Sequence, residues 1–346
     1  MSRKRDYGDG TIRQRTSGRW EARLPLGYDE NGRRRHKVFY GKTRRDVQQK
    51  LGKARRDHHR GLEVEVRSQS VGQFLVRWLK DVAKPSVRPS TYAFYALLTN
   101  RYLIPSLGNI KLDRLSPQHV QAMLNSRTQG GLSPRSVHHL RAVLRAALNQ
   151  AIDWGLILRN VATVVHPPRV PHSELRTLDP AEARLFLEAV TDDRLEALYT
   201  VALTLGLRQG EALGLSWTDV DLAGRMLTIR NALQRIDGKL RLVEPKSATS
   251  RRTIPLPEVV SVALRAHKAR QLEERLRAGS RWRESGLVFT SSIGTPLNSR
   301  NVVRSFHRTL ERAGLPRIRF HDLRHSCASL MLAQGIAPRI VMETLG

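Results

Sequence analysis

Three short segments in the C-terminal half of the chain each place a cation in an unusual setting. In the first, LTLGLRQGEALGL, Arg208 follows an apolar run and lies between Gly206 and Gly210. A guanidinium on such a buried platform is costly unless an anion meets it. Glu211, three residues further on, can hold the orientation of Arg208. We therefore predict that Arg208 binds an anion.

The other two segments supply further cations. In VEPKSATSRRTIPL, Lys246 lies at an expected turn, from which its long side chain can reach into a cleft. In RFHDLRHSCASLML, His321 and Arg324 are three residues apart, on one face of an expected helix and near its start, where anions are favoured. If these two guanidiniums, the ammonium and the imidazole converged, they would suit a pentacoordinate phosphoryl transition state, whose leaving oxygen needs a proton.

Such a site needs no metal ion or other cofactor, and the sequence has no paired Asp/Glu constellation of the kind that a two-metal nuclease requires. The single cysteine, Cys327, excludes an intramolecular disulfide and indicates a reducing, cytoplasmic setting. The longest apolar stretch, LYTVALTLGL from Leu198, is about half a membrane span. It is expected to be a buried helix, so no membrane partner is predicted.

The whole chain is strongly basic, with 60 Lys+Arg against 31 Asp+Glu in 346 residues and a formal net charge of +29. The excess implies a polyanionic partner, and its spread over the whole length favours nucleic acid over a membrane surface. Arginine outnumbers lysine by 49 to 11, and the planar guanidinium binds phosphate in a bidentate manner. Nucleic acid is the predicted partner, although a general bias toward arginine would also raise the charge.

Residues 1–66 predict a small three-stranded sheet packed on one helix. The strand-like runs are TIRQR, RWEARLPL and RRRHKVFY, with a strong hairpin signal at Asn31-Gly32 and an expected helix N-cap at Thr43. A basic sheet of this size can lie in a major groove, although a linker or an oligomerisation module is the alternative. The candidate DNA contacts are Arg13, Arg15, Arg23, Arg33, Arg34 and Arg35.

Helices alone are predicted for residues 69–165. The clearest has Ser133 as N-cap, Pro134 at its first position and Gly155 at its end. Its expected buried stripe is Val137, Leu140, Val143, Leu144, Ala147, Leu148 and Ile152. His138, Arg141 and Arg145 share another face, which could follow a DNA backbone or simply be solvated. Prolines 167, 168 and 171 then predict an extended linker and a domain boundary.

Residues 174–346 predict a mixed domain. A helix capped by Asp179 opens it, and helices from Asp192 to about Leu215 follow. The strand-like run RMLTIR comes next, then an expected hairpin in which LRLVEPK pairs with RRTIPLP around KSATS. Two more helices lead to the helix that contains HDLRH.

Together these segments resemble the tyrosine recombinases, or phage-type integrases. GLRQGEALGLSWTDVD is similar to the first arginine box of that family, PKSATSRRTIPLP to its lysine turn, and HDLRHSCASLMLAQG to its His-x-x-Arg box. The resemblance covers nearly the whole chain and implies a multidomain fold. Its parts would be a small α+β arm-type DNA-binding domain at 1–66, an all-α SAM-like core-binding domain at 69–165 and a mixed, mainly α catalytic domain at 174–346.

The resemblance implies a site-specific recombinase or integrase of a phage or mobile element, which transfers strands without a metal through a phosphotyrosyl intermediate. Arg208 and Arg324 would clamp the scissile phosphate, Lys246 would protonate the leaving oxygen, and His321 would assist. The partners would be attachment sites on double-stranded DNA, three further protomers in a homotetramer on DNA for a complete family member, and DNA-bending accessory proteins.

The tyrosines depart from the family pattern. The family's nucleophilic tyrosine follows the His-x-x-Arg box, whereas the seven tyrosines here, at 7, 28, 40, 92, 95, 102 and 199, all precede Arg208. We therefore expect a chain that is truncated before its nucleophile and that binds DNA without cleaving it. The alternative is a non-catalytic DNA-binding accessory protein derived from an integrase. A basic RNA-binding or membrane-surface protein would explain the charge but none of the three motifs.

Overall fold

The structure is a computed structural model that describes residues 10–16, 18–28, 34–59, 69–171, 175–236, 238–244 and 251–346. The hairpin signal at Asn31-Gly32, Arg33 and Lys246 lie outside this described part of the chain. The chain divides into two compact units, Met1–His172 and Ser173–Gly346. The first holds a small sheet with one helix and a helical domain, and the second is mainly helical with some sheet.

The N-terminal sheet is antiparallel, with the strand order β1-β2-β3. Its elements are β1 (Thr11–Gln14), β2 (Trp20–Tyr28), β3 (Arg34–Gly41) and the helix α1 (Arg44–His59). Alternation along β2 turns Ala22 and Leu24 toward α1, where they form a small core with Val47, Leu51 and Ala54. The Thr43 hydroxyl accepts a hydrogen bond of 3.2 Å from the Asp46 amide, so the expected N-cap is confirmed.

The helical domain has its own core. Its helices are α2 (Val71–Trp78), α3 (Lys84–Ser86), α4 (Pro89–Leu98), α5 (Ile104–Leu107), α6 (Pro117–Gln129) and α7 (Pro134–Asp153). Single π-helical turns at Leu79–Ala83 and Thr99–Leu103 join α2 to α3 and α4 to α5. Each turn is followed within a few residues by a proline, Pro85 or Pro105, which has no N–H to give to an α-helical ladder.

Helix α7 is the centre of that domain. The Ser133 hydroxyl accepts from the Ser136 amide, Pro134 is the first helical residue, and Gly155 ends the segment with φ of +65°, as expected. One member of the expected stripe is wrong, because Ile152 is 37% exposed and the neighbouring Ala151 is buried in its place. At about 100° per residue, Ala151 falls at the centre of the buried stripe, whereas Ile152 falls beyond its edge.

Within its described ranges the second unit contains seven α-helices. They are α8 (Pro180–Ala189), α9 (Glu196–Thr204), α10 (Gln209–Leu213), α11 (Glu258–Ala278), α12 (Ser299–Arg312), α13 (Asp322–Ala333) and α14 (Pro338–Leu345). The Asp179 carboxylate caps α8 by accepting from the Glu182 amide at 2.8 Å. Helix α9 is buried on all sides, as the apolar run predicts, and Tyr199 lies at its centre against Phe186, Phe306 and Phe320. This aromatic cluster anchors the core on which the motif-bearing segments rest.

The strands of the second unit correct one expectation. They are β4 (Val220–Asp221), β5 (Met226–Ile229), β6 (Ala232–Ile236), β7 (Lys239–Val243) and β8 (Arg252–Pro255). The expected pairing of LRLVEPK with RRTIPLP is wrong, because β7 pairs with β6 and β8 pairs with β5. Pairing with β5 places Ile254 opposite Leu227, and both side chains are buried in the main core.

Candidate phosphate-binding pocket

Arg208 and Glu211 form the base of the pocket. Arg208 precedes α10 in an extended conformation, and the Glu211 carboxylate folds back to accept from its amide at 3.1 Å and from its Nη1 at 2.8 Å. Glu211 is 4% exposed and Arg208 is 41% exposed. A buried carboxylate therefore fixes a guanidinium whose remaining donors face the open side.

A second arginine, Arg252 of β8, donates to the same carboxylate. Its Nη2 donates to Glu211 Oε2 at 3.2 Å, and its Nε donates to the Thr344 carbonyl in the last turn of α14 at 2.6 Å. Its side chain is only 7% exposed. The sequence reading missed Arg252, because among 49 arginines nothing local separates it from its exposed neighbours.

Arg324 completes the group from the first turn of α13. Its Nη1 donates to the Gly206 carbonyl at 3.0 Å and its Nη2 donates to the Gly346 oxygen at 2.8 Å. Arg208 Nη2 donates to that same Gly346 oxygen at 2.7 Å. The two arginines singled out from separate motifs, 116 positions apart, thus converge on one oxygen atom. The two guanidiniums are therefore close enough to bind one phosphate group together.

The electrostatics of the pocket favour an anion. Three guanidiniums face one carboxylate, which leaves an excess of positive charge. Burial, together with repulsion from Arg208, lowers the pKa of Arg324 to about 10, and burial also lowers the pKa of Arg252. A guanidinium stays charged at neutral pH in proteins, and a bound phosphate would relieve the repulsion among the three side chains.

His321 immediately precedes α13, one turn from Arg324. Burial, and then the charges of His325 and Arg324, lower its pKa, which favours a neutral imidazole at pH 7. The start of the helix is fixed by Asp322, whose carboxylate accepts from the Arg319 amide and guanidinium at 2.7 Å each. Burial alone would raise the pKa of Asp322, but these bonds to Arg319 lower it. His325 contacts the His321 ring edge to face.

Gly206 allows the pocket to be this compact. Its φ of +63° lies in the left-handed region, and a Cβ at this position would collide with the Leu345 side chain and lie 3.2 Å from Cys327 Sγ. Cys327 is buried, as expected, and burial raises the pKa of its thiol to about 11. Helices α9, α13 and α14 therefore meet at a position where only glycine fits.

Tyr199 is the one tyrosine of the sequence beyond residue 102, and it is unsuited to act as a nucleophile. It is fully buried, and burial raises the pKa of its hydroxyl to about 12. Lys246 belongs to the sequence-predicted set but lies outside the described residues. The structure therefore brings together Arg208, Glu211 and Arg324, adds Arg252, and keeps Tyr199 in the core.

The candidate DNA contacts on the N-terminal sheet share one carboxylate. Glu21 has no exposed side-chain surface and contacts Arg13 at 3.0 Å, Arg15 at 2.7 Å and Arg23 at 2.6 Å. Hydrogen bonding from Arg23, which outweighs burial, lowers the pKa of Glu21. These residues lie on the face of the sheet opposite α1, and Arg34 Nε donates to the Tyr28 hydroxyl. Arg33 and the side chain of Arg35 are outside the described part.

The candidates on α7 make contacts within their own domain. His138 Nε2 lies 2.9 Å from the Pro168 carbonyl oxygen, and Arg141 donates to the carbonyls of Ala162 and Thr163 at 2.9 Å each. Arg145 is exposed. His138 and Arg141 thus hold the segment after α7 against the helix by hydrogen bonds, whereas the Arg145 side chain is exposed.

No group of three or more His, Cys, Asp or Glu side chains within the described ranges could hold a metal ion. Among the helices that the structure describes, none is both long and apolar enough to cross a bilayer.

Two family models match the sequence. Residues 176–346 match the phage integrase family, and residues 70–127 match the N-terminal SAM-like domain of phage integrases. A XerC-like tyrosine recombinase of Caldanaerobacter subterraneus subsp. tengcongensis is 31% identical over 342 residues, covering 93% of this chain and 88% of the relative. An integrase of Streptomyces ambofaciens is also 31% identical, over 100% of this chain and 91% of its own length.

Solved structures share the fold. The Tn1549 transposon integrase in complex with a circular intermediate DNA aligns with a TM-score of 0.68 at 20% identity, covering 80% of this chain and 91% of that one. A lambda integrase tetramer bound to a Holliday junction aligns with a TM-score of 0.59 at 20% identity, covering 96% and 94%. The likeness spans both compact units.

Proposed function

The chain belongs to the phage integrase family of tyrosine recombinases, and we propose that it serves site-specific recombination of double-stranded DNA, as the integrase of a phage or mobile element. The observation that carries this proposal is the convergence of Arg208 and Arg324 on a single oxygen above buried Glu211. A phosphodiester oxygen would accept from both guanidiniums in the place of the Gly346 oxygen, because two charge-assisted donors from separate segments meet there.

The pocket suits phosphoryl transfer without a metal ion. Arg208 and Arg324 would neutralise the non-bridging oxygens, and their fixed orientation would be worth most as charge builds in the transition state. Neutral His321 would accept or return a proton beside the phosphate, and Lys246 would give a proton to the leaving 5′ oxygen as its bond to phosphorus breaks. In the complete reaction a tyrosine oxygen would form the new bond and hold the DNA 3′ phosphate covalently.

The polypeptide of 346 residues is proposed to bind DNA without cleaving it. Tyr199 would have to leave an aromatic core to reach a phosphate, and its raised pKa opposes activation. The remaining six tyrosines belong to the N-terminal unit. This feature also supports the second candidate function, a non-catalytic DNA-binding accessory protein derived from an integrase.

A suicide duplex separates cleavage from binding. The probe carries the attachment core of the mobile element with a nick beside the scissile phosphate, so that a covalent adduct cannot be reversed. We expect a shifted complex on a native gel and no covalent protein–DNA adduct after denaturation. A denaturation-resistant adduct would contradict the absence of a nucleophile, and the lack of any complex would contradict DNA binding.

The partners follow from the family. Because a lambda integrase tetramer on a Holliday junction shares this fold, a homotetramer on two duplexes is proposed for the recombination complex. DNA-bending accessory proteins are the further proposed partners. Chemical crosslinking on attachment-site DNA should give species up to four protomers, and crosslinking no further than one protomer would argue against this assembly.

A further inference from the structure

Arg252 is a nearly buried cation that lies in the same segment as Lys246 but is not one of the four site cations predicted from the motifs. It is the first residue of β8, opposite Ile229 of β5, and its side chain is 7% exposed. Burial of a guanidinium is unfavourable unless its donors are satisfied by hydrogen bonds. The position is set by strand pairing between distant segments, so Arg252 is fixed by the fold itself.

The Arg252 guanidinium spans two parts of the pocket. One nitrogen, Nη2, donates to Glu211 Oε2 at 3.2 Å, and Glu211 in turn binds the Arg208 guanidinium through Oε1 at 2.8 Å. Another, Nε, donates to the Thr344 carbonyl of α14 at 2.6 Å. A planar fork has donors that diverge in this way, whereas a lysine ammonium is a single point of charge and cannot reach both acceptors.

Helix α14 also contacts the rest of the unit through the Leu345 side chain and through the Gly346 oxygen, which accepts from Arg208 and Arg324. Val341 is its buried residue, whereas Ile340 is 53% exposed and Met342 is 73% exposed. The Thr344 carbonyl lies in the last turn, where a helix leaves carbonyl groups without partners inside the helix and carries partial negative charge. The bond from buried Arg252 to this turn therefore links α14 to Glu211, in addition to the bonds that Arg208 and Arg324 make to the Gly346 oxygen.

We propose that Arg252 is a positioning residue that couples the docking of α14 to the shape of the Arg208–Glu211 pair, so that the phosphate pocket and this helix assemble together. The inference rests on the proposed function in one respect, which is that the pocket binds phosphate. It assigns to Arg252 a role that the site residues predicted from the motifs do not have. The positive charge of Arg252 also acts on Arg324, whose guanidinium it repels.

The experiment compares Arg252→Gln and Arg252→Lys with wild type, with Arg265→Gln as the control. Arg265 is 54% exposed on α11 and contacts Glu258 at 3.6 Å, so its loss removes an arginine without touching the pocket. Hydrogen exchange reports the opening of α14, with α9 as the internal reference. Titration with inorganic phosphate at constant ionic strength, followed by NMR of arginine Nε–H signals, reports the pocket.

We expect exchange in α14 to quicken by about tenfold in both Arg252 variants, because each loses a charge-assisted hydrogen bond. Exchange in α9 should stay at the wild-type rate, and phosphate affinity should fall by about fivefold or more. The Arg265→Gln variant should match wild type in both measurements. If Arg252→Lys restores neither the exchange rate of α14 nor the phosphate affinity, then the two bonds of the guanidinium, to Glu211 and to Thr344, are required and positive charge alone does not suffice.

Three results would overturn the proposal. The first is wild-type exchange in α14 for Arg252→Gln, and the second is restoration of both values by lysine. The third is an equal rise of exchange in α9, which means general loss of stability. The two measurements test the positioning role and the proposed function separately. If the NMR signals of Arg208 and Arg324 in the wild-type protein do not shift when phosphate is added, the phosphate-binding function fails. The hydrogen-exchange measurement still decides whether Arg252 positions α14.

Discussion

The negative charge of Glu211 offsets the electrostatic repulsion among the three guanidiniums of the pocket. One carboxylate oxygen binds Arg208 and the other binds Arg252, and both side chains are held within reach of Arg324. Because the carboxylate is buried, it is screened little by solvent, and it orders the guanidiniums before any ligand arrives. Binding a phosphate then costs little reorganisation, which is the condition for stabilising a transition state.

Replacing Arg208 with lysine tests the value of the guanidinium fork. Arg208→Lys keeps the charge but cannot bind Glu211 and an anion oxygen with the same geometry. We expect phosphate binding to weaken by about tenfold, the equivalent of one charge-assisted hydrogen bond. The measurement is the inorganic phosphate titration, with Arg265→Lys as the exposed control. Equal affinity for wild type and Arg208→Lys would remove Arg208 from the pocket.

His267 makes the second unit sensitive to acid. Burial lowers the pKa of this imidazole, which lies 2.8 Å from the Val288 carbonyl oxygen, and Arg194 and Arg270 lower it further. A depressed pKa in the folded state means that the unfolded chain binds the proton more readily. This contribution to stability is complete above the unfolded pKa of about 6.5 and is lost as pH falls below it.

We therefore expect the unfolding midpoint of wild type to fall between pH 7 and pH 5 more steeply than that of His267→Gln. Glutamine can still donate to the Val288 carbonyl but does not titrate. Thermal unfolding followed by circular dichroism at several pH values measures the difference. Parallel pH profiles for the two proteins would show that His267 is not responsible.

The motif residues could be recognised from sequence because their signals are local. Arg208 and Glu211 are three residues apart, and so are His321 and Arg324, so one turn of chain suffices to relate each pair. Arg252 could not be recognised in this way, because its burial depends on the pairing of β8 with β5. Only the folded chain distinguishes it from Arg251, which is 57% exposed.

At the level of elements, the contact of α9, α13 and α14 depends on one glycine. Gly206 has positive φ, and the Leu345 side chain occupies the space where a Cβ would be. Gly335 offers a matched comparison, because its φ of +74° imposes the same backbone demand but nothing lies within 4 Å of a Cβ there. The difference between the two positions isolates the cost of the close contact.

We expect Gly335→Ala to lose about 1 kcal/mol of unfolding free energy, from backbone strain alone. Gly206→Ala should lose at least about 2 kcal/mol more, because the Leu345 side chain must move as well. Chemical denaturation followed by tryptophan fluorescence gives both values. If the two alanine variants are equally stable, Leu345 does not constrain position 206.

Helices that begin with a capping residue and a proline were predictable from sequence, whereas the pairing of strands was less predictable. Capping residues and prolines located α7 and α8 correctly. The pairing of β7 and β8 was predicted wrongly, because the stronger turn signal is the Asp237-Gly238 pair in the sequence, which favours a hairpin of β6 with β7. The π-helical turns were not predicted, because a single inserted residue leaves no periodic signal in the sequence.

For the whole molecule, the charge of +29 predicts how DNA affinity responds to salt. Each phosphate that the protein neutralises releases counterions, so the logarithm of affinity should fall with the logarithm of salt concentration by about 0.9 per phosphate. Fluorescence anisotropy with a random-sequence duplex from 50 to 300 mM salt, roughly the range over which such slopes are resolved, measures the slope. A flat response would contradict a phosphate-binding surface.

The arrangement of arginines across the molecule is more informative than their number. Arg13, Arg15 and Arg23 of the N-terminal sheet bind buried Glu21. Arg208 and Arg252 of the second unit bind buried Glu211, so a buried carboxylate orients each of these two groups. Composition alone predicted a polyanion as partner. Only the folded chain indicates which arginines are ordered and which are committed to carbonyl groups, as Arg141 is.

The most direct test of the central claim is the structure of this chain bound to duplex DNA that carries its attachment core. The account predicts one backbone phosphate in hydrogen-bond contact with both Arg208 and Arg324, with Glu211 still beneath them. A complex in which the DNA lies elsewhere on the second unit, leaving these two guanidiniums without a phosphate, would contradict it.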